Sequence, residues 1–173
     1  MMPVIVTRNI YLETAVTHLF QNELESRGIC IIHFDGQTSL RELLSFLCEG
    51  AVKTSQKLIF TGNPGIYSLH LKKYCWVDDN ISVKQFSEQI YKAKGVSVQT
   101  LAKDISEYLS LSDLTILQFN VAMLSKRYQV HTIANILDLS DQAIYNLVSK
   151  ILAKKKLSSL KQLRFFLIKE FPS

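Results

Sequence analysis

The stretch HTIANILDLSDQAIYNLVSKILAKKKL, His131 to Leu157, carries two hydrophobic stripes separated by a short polar break. Ile133, Ala134 and Leu137 share one face of a first helix. Ile144, Leu147, Val148 and Ile151 recur at the i, i+3, i+4, i+7 spacing of a second. Between them lies Asp138-Leu139-Ser140, where Leu139 can plug the corner and Ser140 can accept a hydrogen bond from an N–H at the next helix start. Asp141 follows in the first turn, where the helix dipole favours an anion. Burying both stripes against one small core leaves Gln142, Tyr145, Asn146, Ser149 and Lys150 on the outer face of the second helix. These side chains can pair with base edges or phosphates.

An ordinary amphipathic hairpin with a solvated polar face fits the same spacing. Charge separates the two readings. From Lys150 to Lys169 the chain carries Lys150, Lys154, Lys155, Lys156, Lys161, Arg164 and Lys169 and no Asp or Glu. Following a candidate recognition helix, such a run is placed to neutralise phosphates, and Lys154, Lys155 and Lys156 are its nearest members.

From about Leu109 to Leu167 these residues resemble the LuxR-type (FixJ/NarL-like) bacterial transcription regulators. Their carboxy-terminal four-helix domain contains a helix-turn-helix. LSLSDLTILQ is similar to the family's Leu-Ser-x-x-Glu-x-x-Ile-Leu opening, with Asp113 in place of the Glu. TIANILDLSDQAIYNLVSKIL resembles the paired helices, and KKKLSSLKQLRFFLIK the fourth helix, which packs the domain and often forms a dimer contact. The resemblance implies base contacts at Tyr145 and Asn146, with Ser149, Lys150 and Lys154 near the DNA backbone. In Phe165-Phe166, with Leu160, Leu163 and Leu167, either a dimer seam or core packing can be read.

The 173 residues suffice for one domain or two small ones, and 47% hydrophobic with 20% charged residues is a globular composition. The net charge of +5 is uneven. Residues 1–100 hold 10 Lys+Arg against 9 Asp+Glu, and residues 101–173 hold 10 against 6. Most of the basic excess thus falls in the carboxy-terminal half. No apolar run approaches the ~18 residues that span a bilayer. MMPVIVTRNIYLE lacks the basic and long apolar regions of a secretion signal, so a cytoplasmic location is expected. Cys30, Cys48 and Cys75 sit apart in apolar contexts and read as buried thiols rather than disulfides or metal ligands.

The first hundred residues alternate strand and helix signals. Val4 to Thr7 reads as a strand, Ile10 to Arg27 as a helix on Leu12, Val16, Leu19, Phe20 and Leu24, and ICIIHF as a covered strand before an Asp35-Gly36 turn. Thr38 to Val52 reads as a helix on Leu40, Leu43, Leu44 and Leu47. KLIFTG reads as a strand, Asn63-Pro64-Gly65 as a turn and YCWV as a short strand. Ile81 to Ala93 reads as a helix with Val83, Phe86 and Ile90 inward.

This half resembles a shortened response-regulator receiver domain. A working receiver needs an acidic cluster to hold Mg²⁺ beside a phospho-acceptor Asp. Here the first strand ends in Thr7-Arg8-Asn9, and Asp35 is the sole strand-end acid in a suitable place, better read as a turn former. Asp78-Asp79-Asn80 reads as the cap of the next helix, and TGNPG as a turn rather than a phosphate cradle. His18, His33, His70 and His131 lack metal-ligand spacing.

The expected architecture is an α/β receiver-like domain with a parallel sheet over 1–95 and a linker over 96–108 in which Val96 to Tyr108 can form a helix. An all-α four-helix helix-turn-helix domain follows over 109–173. The expected function is a DNA-binding transcription regulator acting on double-stranded DNA as a homodimer or heterodimer, with no cofactor, no metal and no enzymatic activity. Its amino-terminal domain would not be phosphorylated and would serve dimerisation or partner binding. The rival is an interaction module that modulates another transcription factor without reading DNA. A small α/β enzyme ranks third, since no nucleophile–base pair or cofactor loop emerges.

Overall fold

The computed structural model describes residues 5–20, 23–35, 38–50, 52–53 and 55–172. Val4, Gly36 and the other remaining positions lie outside them. The chain is mixed α/β and divides into two compact units, Met1–Glu107 and Tyr108–Ser173.

In the first unit the chain runs β1 (Ile5–Val6), α1 (Ile10–Leu19), α2 (Glu23–Ser26), β2 (Ile29–Asp35), α3 (Leu40–Cys48), β3 (Lys57–Asn63), a 3-10 turn (Gly65–Tyr67), α4 (Ser68–Leu71), β4 (Trp76–Val77), α5 (Val83–Lys92), β5 (Val96–Ser97) and α6 (Val98–Leu109), whose last two residues, Tyr108 and Leu109, are counted with the second unit. The sheet order is β1-β2-β3-β4, all parallel, with β2 and β3 paired in full from Ile29↔Lys57 to Asp35↔Asn63. β4 pairs with Phe60-Thr61 in the middle of β3, and β5 pairs antiparallel with its Lys57-Leu58 end.

Strand alternation sorts the core into two faces. Ile5, Ile31, Ile59 and Val77 join Val16 of α1, Leu24 of α2, and Phe86 and Ile90 of α5 in one cluster. On the other face Phe34, Phe60 and Trp76 pack ring on ring, with centroids 5.2–5.8 Å apart.

Several expectations are corrected here. The helix expected over Ile10 to Arg27 is two pieces, and Leu19 is exposed, as is Val83 on α5. The cap of α5 is Ser82, which forms a capping box with Gln85, while Asp78 instead accepts from the Asn80 N–H at 2.8 Å. No disulfide joins the cysteines, but only Cys30 is buried, and burial pushes its thiol up to about 12. Over 96–108 the expected helix is present as α6, and a short strand that was not expected precedes it. Val96-Ser97 completes the sheet, and α6 buries Val98, Leu101, Ile105, Tyr108 and Leu109 along one face. Gly95 makes this possible, because a Cβ there would sit 2.8 Å from Lys57 Cβ and 2.9 Å from Leu58 O.

The second unit holds α7 (Ile116–Ser125), α8 (Val130–Leu137), α9 (Asp141–Lys154) and α10 (Leu160–Glu170). Its core is Val121, Ala122, Ile133, Ala134, Ile144, Val148, Ile151, Leu163, Phe166 and Leu167. Phe166 and Leu163 are thus core residues, whereas Phe165 is exposed. The opening expected at Leu109 is corrected. Thr115 caps α7 in a reciprocal box with Gln118, so the helix starts one residue after Thr115. Among the described residues no helix is long and apolar enough to cross a membrane.

Candidate functional site

The turn between α8 and α9 is built locally. Asp138 adopts the left-handed region at φ 53°, which lets the Leu139 N–H reach back to Ala134 O at 2.9 Å. Asp tolerates that conformation better than most residues. Ser140 is extended and its hydroxyl accepts from the Ala143 N–H at 3.2 Å, with Asp141 in the first turn. Leu139 is half-buried at the corner.

With Ile144, Val148 and Ile151 buried, α9 presents Gln142, Tyr145, Asn146, Ser149 and Lys150 outward. Tyr145 keeps 54% of its surface exposed. Gln142 Nε2 donates to Asn146 Oδ1 at 3.3 Å, and the Ser149 hydroxyl donates to Tyr145 O at 3.0 Å. These exposed contacts are replaceable by a ligand at little cost. His131, at the start of α8, lies 3.4 Å from Asp141 and from Asn135, adding a polar cluster that the sequence reading had not placed there.

The basic run divides. Lys150, Lys156 and Lys161 are exposed. Lys156 sits at φ 49°, closing α9 with the Leu157 N–H bonded to Leu152 O at 3.0 Å.

Lys155 does not reach a phosphate. It is 2% exposed, paired with Asp113 at 2.8 Å, and donates to the carbonyls of Tyr108 and Ser110. The Tyr108 hydroxyl donates in turn to Lys155 O at 2.8 Å. Lys154 is tied to Asp113 O at 2.5 Å and to Gln118 Oε1 at 2.9 Å. Arg164 donates to Ser125 O, Tyr128 O and Gln129 Oε1. These cations hold the four helices together. No local sequence signal separates them from solvated lysines.

In the first unit the strand ends carry a cleft of about 320 Å³ lined by His33, Phe34, Asp35, Gly62, Asn63, Asp79 and Asn80. His33 Nδ1 lies 3.6 Å from Asp79 Oδ2, and Asp35 accepts from the Thr38 hydroxyl at 3.0 Å. At the end of β1, Arg8 pairs with Glu42 at 2.6 Å, and Asn9 caps α1 by accepting from the Tyr11 and Leu12 N–H groups. Among the described residues no three His, Cys, Asp or Glu side chains gather as metal ligands.

No protein-family model, curated protein or solved structure matches this chain. What it can do rests on its own residues.

A second polar centre lies around Asp104 of α6. Its carboxylate accepts from Lys73 Nζ and from the Tyr74 hydroxyl at 2.7 Å, and buried His70 Nε2 stands 2.9 Å away. Burial alone would raise the Asp104 pKa. The hydrogen bonds from Lys73 and Tyr74 and the charges of His70 and Lys73 outweigh it, and the carboxyl falls below its ordinary 3.8. A depressed folded-state value stabilises above the unfolded pKa and is lost as pH falls through the folded one. Acid unfolding of Asp104→Asn should therefore be flatter than wild type below pH 3.8. At neutral pH the variant should lose roughly 2 kcal/mol. Urea titrations at pH 7 and pH 3 read both; parallel acid profiles would remove Asp104 from this role.

Proposed function

We propose that the chain is a bacterial-type DNA-binding transcription regulator in which α8 and α9 act as a helix-turn-helix. In this reading α9 enters the major groove. The carrying observation is the division of α9 into a buried apolar stripe and an exposed face of Gln142, Tyr145, Asn146, Ser149 and Lys150. Support comes also from the capped left-handed turn between the helices. The start of α7 adds to it. The Leu-Ser-x-x-Glu pattern compared above with Leu109 is met again at Leu114-Thr115-x-x-Gln118, where the capping box lies. That shorter spacing to α8 suits the family better than the Leu109 register.

The amino-terminal unit is read as a receiver-like domain that has lost an edge strand. Removing strand 2 from the doubly wound order 2-1-3-4-5 leaves the monotonic order found here. Where a receiver needs metal-holding acids at its first strand, this chain uses Arg8 in an ion pair and Asn9 as a cap. A small acyl phosphate is accordingly expected to leave the protein's mass unchanged, and a phosphoryl adduct on Asp35 would overturn that. The unit's role would be dimerisation or partner binding.

DNA capture across a bacterial genome tests the main reading. Wild type should recover a shared sequence motif, and Tyr145→Ala/Asn146→Ala should lose it while still folding. Lys150→Ala and Lys156→Ala should weaken every sequence and each lower the salt slope by about 1. Enrichment unaffected by all of these substitutions would count against base reading by α9.

One observation favours the second reading, an interaction module that modulates another transcription factor. Lys154, Lys155 and Arg164 are committed to internal bonds, which thins the set left for phosphate. Tight partner binding without DNA and a flat salt dependence would decide for it.

A further inference from the structure

The second unit leaves one helix face uncovered that the DNA reading does not use. Ile116, Phe119 and Met123 recur at i, i+3, i+7 on α7, with Ile116 84% exposed and Phe119 also exposed. Met123 is shared with a groove of about 430 Å³ that Leu124, Tyr128, Phe171 and Pro172 also line. Lys126 and Arg127 complete its lining, which holds no acid among the described residues. Lys126 Nζ donates to Phe171 O at 2.7 Å, which holds its charge at the rim.

We propose that this strip and groove bind an amphipathic helix of another protein, apolar on one face and acidic along its edges. The shape argument is length. Residues 116 to 127 rise over about 17 Å, some three turns of a partner helix whose i, i+3, i+7 side chains can enter the groove. The sign argument is charge. Residues 108–173 carry nine Lys+Arg against four Asp+Glu, and the groove's own charged residues are both cations. A second copy docking through this face would bring the same two cations and, among the described residues of the groove, no acid to meet Lys126 and Arg127, which disfavours it. The inference goes beyond the DNA reading and shares no residue with the outer face of α9.

The test uses the full chain and a fluorescein-labelled helical peptide with Leu at i, i+3 and i+7 and Glu on its flanks, beside a twin with Lys for each Glu. Anisotropy should show the acidic peptide binding about tenfold more tightly than its twin, with the preference shrinking as salt rises. Ile116→Glu should abolish binding of the acidic peptide. Arg127→Glu should shift preference towards the basic twin. Both positions are exposed, so circular dichroism should stay that of wild type. Equal binding of the two peptides, or none, overturns the proposal. So does a concentration-dependent dimer that Ile116→Glu dissolves, which gives the face to a second copy. Loss of DNA affinity in Ile116→Glu with peptide binding intact would give it to nucleic acid; loss of base selectivity at α9 alone would leave this proposal untouched.

Discussion

Gly62→Ala is expected to unfold the first unit or lower its melting temperature by roughly 15 °C or more. Gly62 lies near the end of β3 at φ 85°, paired with Phe34 in the longest ladder of the sheet. A Cβ there would stand 2.1 Å from Phe34 O and 2.7 Å from His33 Cε1. His33 could swing away, but a backbone carbonyl inside a paired strand cannot move without breaking β2 from β3. The left-handed conformation adds about 1 kcal/mol for any residue with a Cβ, and the displacement brings the total to roughly 4 kcal/mol. Gly50→Ala is the control. Gly50 has φ 75° but nothing within 4 Å of the added carbon, so it reports the conformational cost alone. Equal losses in the two variants, by differential scanning calorimetry, would mean that the approach to Phe34 O is not tight.

Lys155→Met should cost the second unit about 3 kcal/mol without changing the salt slope of any DNA binding. The substitution keeps the apolar stem and removes the ammonium. The carbonyls of Tyr108 and Ser110 lose a buried donor, and Asp113 loses its cation. Asp113 is half exposed, so water replaces much of its share, and the stranded carbonyls account for most of the loss. Asp113→Asn should be milder than Lys155→Met, since the ammonium keeps its carbonyl partners. A flattened salt slope at unchanged melting temperature would return Lys155 to the DNA-facing set.

These two positions mark what could be read along the chain. The stripe of Ile144, Val148 and Ile151, the Ser140 cap and the Asp141 first-turn charge were legible because each depends on neighbours within two turns. The strands β2 and β3 were legible as continuous apolar runs. Lys155 was not. In a run of three lysines nothing local distinguishes the one whose partner, Ser110, lies 45 residues earlier. Arg164 was misread for the same reason.

Over 96–108 the expected helix is present as α6, and what the sequence did not announce is the short strand before it. Val96-Ser97 gains its structure only from pairing with Lys57-Leu58, a contact no local pattern announces. The start of α7 was available locally. Both Leu109-Ser110 and Leu114-Thr115 offer a hydroxyl cap, but only the second has Gln118 three residues on to complete the box.

The short outer strands have a consequence for how the protein behaves in a crowded solution. Beyond β2 and β3, each described strand is two residues long, and β4 and β5 share one side of β3 while running in opposite directions. A stray extended chain meets no long, straight ladder there to copy. On the β4 and β5 side the sheet is thus guarded against fibril growth and strand exchange by the brevity of that border, and the seven-residue strand β3 is covered there by two short partners.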